Sequence, residues 1–150
     1  MPLIKIHPAV NKPLLIILTG KTASGKDTVI SKLLSGLPDF KKVVTTTSRV
    51  PRVGEKDGVD YFFISGEEFR QKIERGDFIE YVEYGGNFYG TEKTQLIDTN
   101  RDLIWRIDPS RAGKIREIID SPVLVIYLTV PDSLVLERLK KRGFSSEDIE

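Results

Sequence analysis

Apolar runs of strand length alternate along this chain with segments whose apolar positions share one helical face. Leu14-Leu15-Ile16-Ile17-Leu18 is a continuous apolar run and predicts a buried strand over about 14–19. In the next segment Val29, Ile30, Leu33 and Leu34 line one face of a helix over about 27–36, which Gly36 and Pro38 terminate. Residues 41–46, rich in β-branched side chains, read as extended, and the Pro-, Gly- and charge-rich stretch 49–58 as an exposed loop. A strand over 60–64 then leads to a helix capped by Ser65 or Gly66, running to about Arg75 and stopped by Gly76. Residues 78–84 alternate as a strand, Gly85-Gly86-Asn87 turns, and a short helix is expected over about 91–98. Residues 103–108 and 123–129 read as further core strands. Each leads into a helix, from Pro109 to about Asp120 and from Pro131 to Lys141, and 145–150 opens another.

Strands at 14–19, 103–108 and 123–129, each followed by a helix, predict an α/β fold with a parallel sheet and helices on both faces. The segment 45–98 breaks that rhythm and reads as a small α+β insertion. The expected organisation is a core made of 1–44 and 99–137, the insertion at 45–98, and the start of a lid at 138–150.

A chain of 150 residues fits one core domain with a small insertion. Its 23 Lys+Arg against 22 Asp+Glu predict no bulk attraction to nucleic acid or membrane, so anion binding must come from local clusters. The absence of cysteine removes disulfides, thiolate chemistry and Cys-based metal sites. The first residues lack a signal-peptide pattern and no stretch reaches membrane-spanning length, so a cytoplasmic location is expected. The single histidine, His7, lies between proline-rich flanks and reads as a surface residue rather than a base.

The chemistry begins at Gly20-Lys21-Thr22-Ala23-Ser24-Gly25-Lys26, between the first strand and the first helix. Strand, G-x-x-x-x-G-K loop and helix together form the phosphate-cradling P-loop in its required context. Glycines let backbone N–H groups close around phosphate oxygens, the helix N-terminus adds partial positive charge, and Lys26 adds a full one. The residue after the lysine is usually Ser or Thr, whose hydroxyl holds Mg²⁺. Here it is Asp27, followed by Thr28. A carboxylate is a hard ligand, which makes Asp27 a candidate metal contact, directly or through water; it also suits the first turn of a helix on its own account.

The insertion gathers Arg49, Arg52, Tyr61 and Tyr89, two guanidiniums and two phenols suited to a phosphate monoester. It also carries Glu80 beside the hydroxyls of Thr45 and Thr91. A carboxylate accepting two parallel N–H bonds matches the guanine edge, whereas adenine would meet it lone pair to lone pair. Singly, each residue has a plainer reading: Tyr61 as core packing, the arginines as solvated loop charges, Glu80 as the polar face of a strand. Their joint order outweighs those readings.

That order resembles the guanylate kinase family. The matches are the P-loop at 20–28, T-S-R-x-P-R-x-G-E-x-x-G-x-x-Y-F-F at 47–63, F-I-E at 78–80, G-N-F-Y-G-T at 86–91, I-D at 107–108 and the run from Arg138. The resemblance implies Mg²⁺-dependent transfer of the γ-phosphoryl of ATP to GMP. It places the GMP phosphate on Arg49, Arg52, Tyr61 and Tyr89, and guanine on Thr45, Glu80 and Thr91, with Asp108 near the base. Arg138 and Arg142 match lid arginines that close on the triphosphate, so Lys26, Arg49, Arg138 and Arg142 are the expected catalytic cations. It also makes 45–98 a GMP-binding insertion. The family has a further core strand and closing helix beyond the lid, which the chain to Glu150 lacks, and an acidic residue where Arg106 stands. That guanidinium is expected to pair with Asp27 or a phosphate. Two other readings belong beside this one: a ribose bisphosphate kinase, which can carry Asp after the P-loop lysine, and a guanylate-kinase-like scaffold domain that binds phosphopeptides.

Overall fold

The structure, a computed structural model, describes residues 12–96 and 100–143. The expected core strands form. β1 (Leu15–Gly20), β7 (Leu103–Arg106) and β8 (Val123–Leu128) join β2 (Lys41–Lys42) in an all-parallel sheet of order β2-β7-β1-β8. β1 lies at its centre with every residue buried, which is why its sequence is a continuous apolar run. Helices α1 (Lys26–Gly36), α3 (Pro109–Ile118) and α4 (Asp132–Lys141) each follow a strand or its loop. One face of the sheet closes over Leu15, Ile17, Trp105, Ala112 and Ile115, the other over Ile16, Leu18, Ile30 and Ile104.

A second sheet, of order β4-β3-β6-β5, is built from β3 (Thr46–Thr47), β4 (Phe62–Phe63), β5 (Phe78–Tyr84) and β6 (Asn87–Glu92). Helix α2 (Gly66–Glu74) covers it. Ser65 caps α2, its hydroxyl accepting from the Glu68 N–H at 3.0 Å. Phe69 of α2 is fully buried and stacks on Phe78 at 4.3 Å and Phe88 at 5.2 Å between ring centroids. The extended stretch 41–46 is therefore divided: β2 pairs with β7 in the first sheet, and β3 pairs with β4 and β6 in the second.

The helix expected over 91–98 does not form. Thr91 and Glu92 complete β6, paired antiparallel with β5, and one 3₁₀ turn (Lys93–Gln95) follows; residues 97 and 98 lie outside the described residues. Packing decides this. A Cβ at Gly90 would stand 3.0 Å from Phe69, Phe78 and the Glu80 carbonyl, so the backbone lies flat against the sheet and carries Thr91 on as strand. The helix expected to open at 145–150 and His7 also fall outside the described residues. Among the described residues no helix is long and apolar enough to cross a membrane.

Candidate active site

β1 delivers the chain to the loop at its carboxyl end, the usual ligand-binding end of a parallel sheet. Gly20 has φ 145°, and a Cβ there would meet the Leu128 carbonyl oxygen at 2.3 Å, so glycine is the one residue that fits. Ala23 at φ 59° and Gly25 at φ 96° curl the loop back on itself. Helix α1 takes no side-chain cap, so its first N–H groups stay free for an anion. Lys26 Nζ lies over the loop, donating to the Gly20 carbonyl at 2.7 Å and the Lys21 carbonyl at 2.6 Å. Burial, then the Arg106 charge, pulls this ammonium below its ordinary range.

One cleft of about 950 Å³ unites this loop with the second sheet. Gly20, Lys21, Thr22, Ala23, Gly25, Lys26, Asp27 and Thr28 line one side. Among the residues lining the rest are Thr45, Arg49, Arg52, Tyr61, Glu80, Tyr89, Asp108 and Arg142. Three expected site residues stand behind its wall. Ser24 is buried under the loop, 3.4 Å from Lys26 Nζ. Thr91 is fully buried beside Glu80 across the β5–β6 pair. Arg138 stands on α4 and donates to the Ala23 carbonyl at 2.9 Å, bracing the loop from outside.

Within the cleft three arginines already hold carboxylates. Arg49 forks onto both oxygens of Glu55 at 2.8 and 2.9 Å, and Glu55 also accepts from the Arg52 N–H at 2.7 Å. The Arg49 guanidinium stands over the Tyr61 and Phe63 rings. Arg106 donates to Asp27 at 2.6 Å and to the Tyr61 hydroxyl, joining the P-loop helix to the second sheet. Asp108 caps α3, accepting from Ser110 N–H at 2.9 Å; against partial burial, these Ser110 bonds hold its carboxyl below the ordinary range. Arg111, from the first turn of α3, donates to Glu80. Burial pushes the Glu80 carboxyl above the ordinary carboxylate range, and Arg111 opposes that only in part.

Sequence reasoning missed Arg111, Glu55 and Lys42 as cleft residues. Glu55 lay inside a quoted motif, and its three-residue spacing from Arg52 was the available signal. Nothing local marked Arg111, whose partner lies 31 residues away.

The family model for guanylate kinase matches residues 12–149. The chain belongs to the guanylate kinase family. It is similar to the guanylate kinase of Latilactobacillus sakei, 41% identical over 138 residues, covering 89% of this chain and 68% of that one. With the guanylate kinase of Clostridioides difficile the identity is 40%, covering 89% and 64%. The crystal structure of guanylate kinase from Anaplasma phagocytophilum superposes with a TM-score of 0.70 at 34% identity, covering 89% of this chain and 70% of that one. The chain thus spans about two thirds of the length of the guanylate kinases it matches.

Proposed function

We propose that this chain transfers the γ-phosphoryl of ATP to GMP, giving ADP and GDP. The observation that carries this reading is the single cleft in which an uncapped P-loop helix faces a guanidinium–phenol set and a buried carboxylate. Lys26 and the loop amides would hold the β- and γ-phosphates, and Arg49, Arg52, Tyr61 and Tyr89 the phosphate of GMP. Glu80 would accept from guanine N1–H and the N2 amino group. Arg49 and Arg142 would cover the charge that spreads over the transferring group, with Arg138 acting from behind through Ala23. The acceptor is a phosphate dianion, itself a competent nucleophile, so positioning and charge neutralisation are the protein's work.

Among the described residues no cluster of three His, Cys, Asp or Glu side chains can hold a metal by itself. The exposed Asp27 and Thr28 supply hard oxygens at the loop, and one Asp27 oxygen is taken by Arg106. That donor set suits a Mg²⁺ that arrives on the triphosphate and keeps most of its ligands from phosphate and water. Bound there, the ion would neutralise the phosphate oxygens.

A coupled ADP-release assay with GMP, AMP, UMP and CMP in parallel tests the reading. GMP should be used preferentially, and Glu80→Ala should lower kcat/KM for GMP by roughly a hundredfold or more. Full GMP turnover in Glu80→Ala would show that base recognition lies elsewhere.

A further inference from the structure

Glu80 sits within β5 with its side chain 10% exposed, in the wall of the cleft. The charged group set against it is Arg111 of α3. Thr91 faces it from β6, and Val82 and Tyr84 of its own strand continue the same wall. Tyr89 of β6 and Asp108 at the head of α3 line the same cleft; Asp108 is occupied by Ser110. Arg111 reaches Glu80 through one contact, Nη1 to Oε2. A carboxylate has about four acceptor sites, so with Arg111 and Thr91 set against it lone pairs remain for a ligand.

Two features of Arg111 run against local rules. It stands in the first turn of α3, where the helix dipole favours anions and disfavours a cation. Its Nε is buried with no hydrogen-bond partner among the described residues. A chain that keeps a costly cation at a helix start and leaves one of its donors unsatisfied is usually serving a site.

We propose that Arg111 is a positioning residue for base recognition: its charge, held against Glu80, fixes that side chain as a two-acceptor surface and so sets the choice of guanine over adenine. The inference rests on the GMP reading above. An ionised carboxylate offers acceptors only, matching N1–H and the N2 amino group of guanine. A protonated carboxyl offers one donor and one acceptor, which matches adenine N1 and its 6-amino group. Burial drives Glu80 toward the protonated form, and Arg111 restrains it. The cation therefore acts on base selectivity through its neighbour.

The test compares kcat/KM for GMP and AMP between pH 5 and 8 in the full chain, its R111Q and R111K variants, and reads the Glu80 carboxyl by carbon-13 NMR. R111Q should lower the GMP-over-AMP ratio by about tenfold or more, and R111K should restore most of it. The native preference should be present above the Glu80 midpoint and fall away as pH drops through it. In R111Q that loss should begin at a higher pH, with the NMR midpoint displaced alike. A native chain that discriminates, beside an R111Q that discriminates equally with the same midpoint, overturns the assignment of Arg111 alone. A native chain without GMP preference overturns the GMP reading and this inference together. Should R111Q not fold, a native GMP preference that survives protonation of Glu80, or an R111K variant with that preference abolished, overturns the proposal.

Discussion

Ile17, Leu18, Ile104 and Trp105 are sealed inside the parallel sheet, and what it presents at its carboxyl end is largely backbone: a glycine turn, an uncapped helix and one lysine. The second sheet contributes side chains. Thr46 and Thr47 are fully buried in it, three phenylalanine rings stack beneath α2, and its cleft wall is set with Arg49–Glu55 and Glu80–Arg111 ion pairs. On the proposed reading, the phosphate half meets a charge and shape shared by every nucleotide, so main-chain geometry would suffice. The half proposed to read the base would have to tell one purine from another, and only placed donors and acceptors do that. Because Arg49 and Arg111 already hold carboxylates, a ligand reaching them would exchange partners rather than gain them. The net return is specificity more than affinity.

Phe69→Ala should separate the halves most sharply. Emptying a fully buried ring site under α2 should cost about 3–5 kcal/mol of stability in the second sheet. GMP binding should weaken by more than tenfold while a non-hydrolysable ATP analogue still binds, both read by calorimetry. Parallel loss of both ligands would mean that the two sheets unfold as one unit. Arg106→Gln probes the joint between them. Freed from its guanidinium, Asp27 should let Mg²⁺ half-saturate at a several-fold lower concentration. GMP should be used about tenfold less well, since the Tyr61 hydroxyl loses a charged partner. Unchanged values in both assays would make the pair ornamental. Ser65→Ala is the mildest test: loss of the α2 cap should cost about 1 kcal/mol in thermal unfolding, with both substrate KM values unmoved.

How much of this was legible follows the same division. β1 and β7 could be read because strands buried on both faces leave continuous apolar runs, β8 because the edge strand keeps an apolar run of its own, and the P-loop because its glycine spacing is local. Arg106 was expected to pair with Asp27 or a phosphate, and its pairing with Asp27 is what the structure contains. Thr91 misled: nothing local separates it from the segment that follows, and pairing with β5 and the rings packed on Gly90 hold it in a strand. Arg111 was invisible because an ion pair between α3 and β5 leaves no period in the chain. Pairings across sequence distance are where patterns fall silent.

Gly20 is hydrogen-bonded into register with Leu128, the last residue of β8, at a spacing too tight for any other amino acid. Among the described residues β8 is an outermost strand, with Leu124 and Tyr127 about half exposed. The mouth of the phosphate turn is thus clasped to the border of its sheet, and fraying of that border would slacken the nucleotide grip well before the interior loosened.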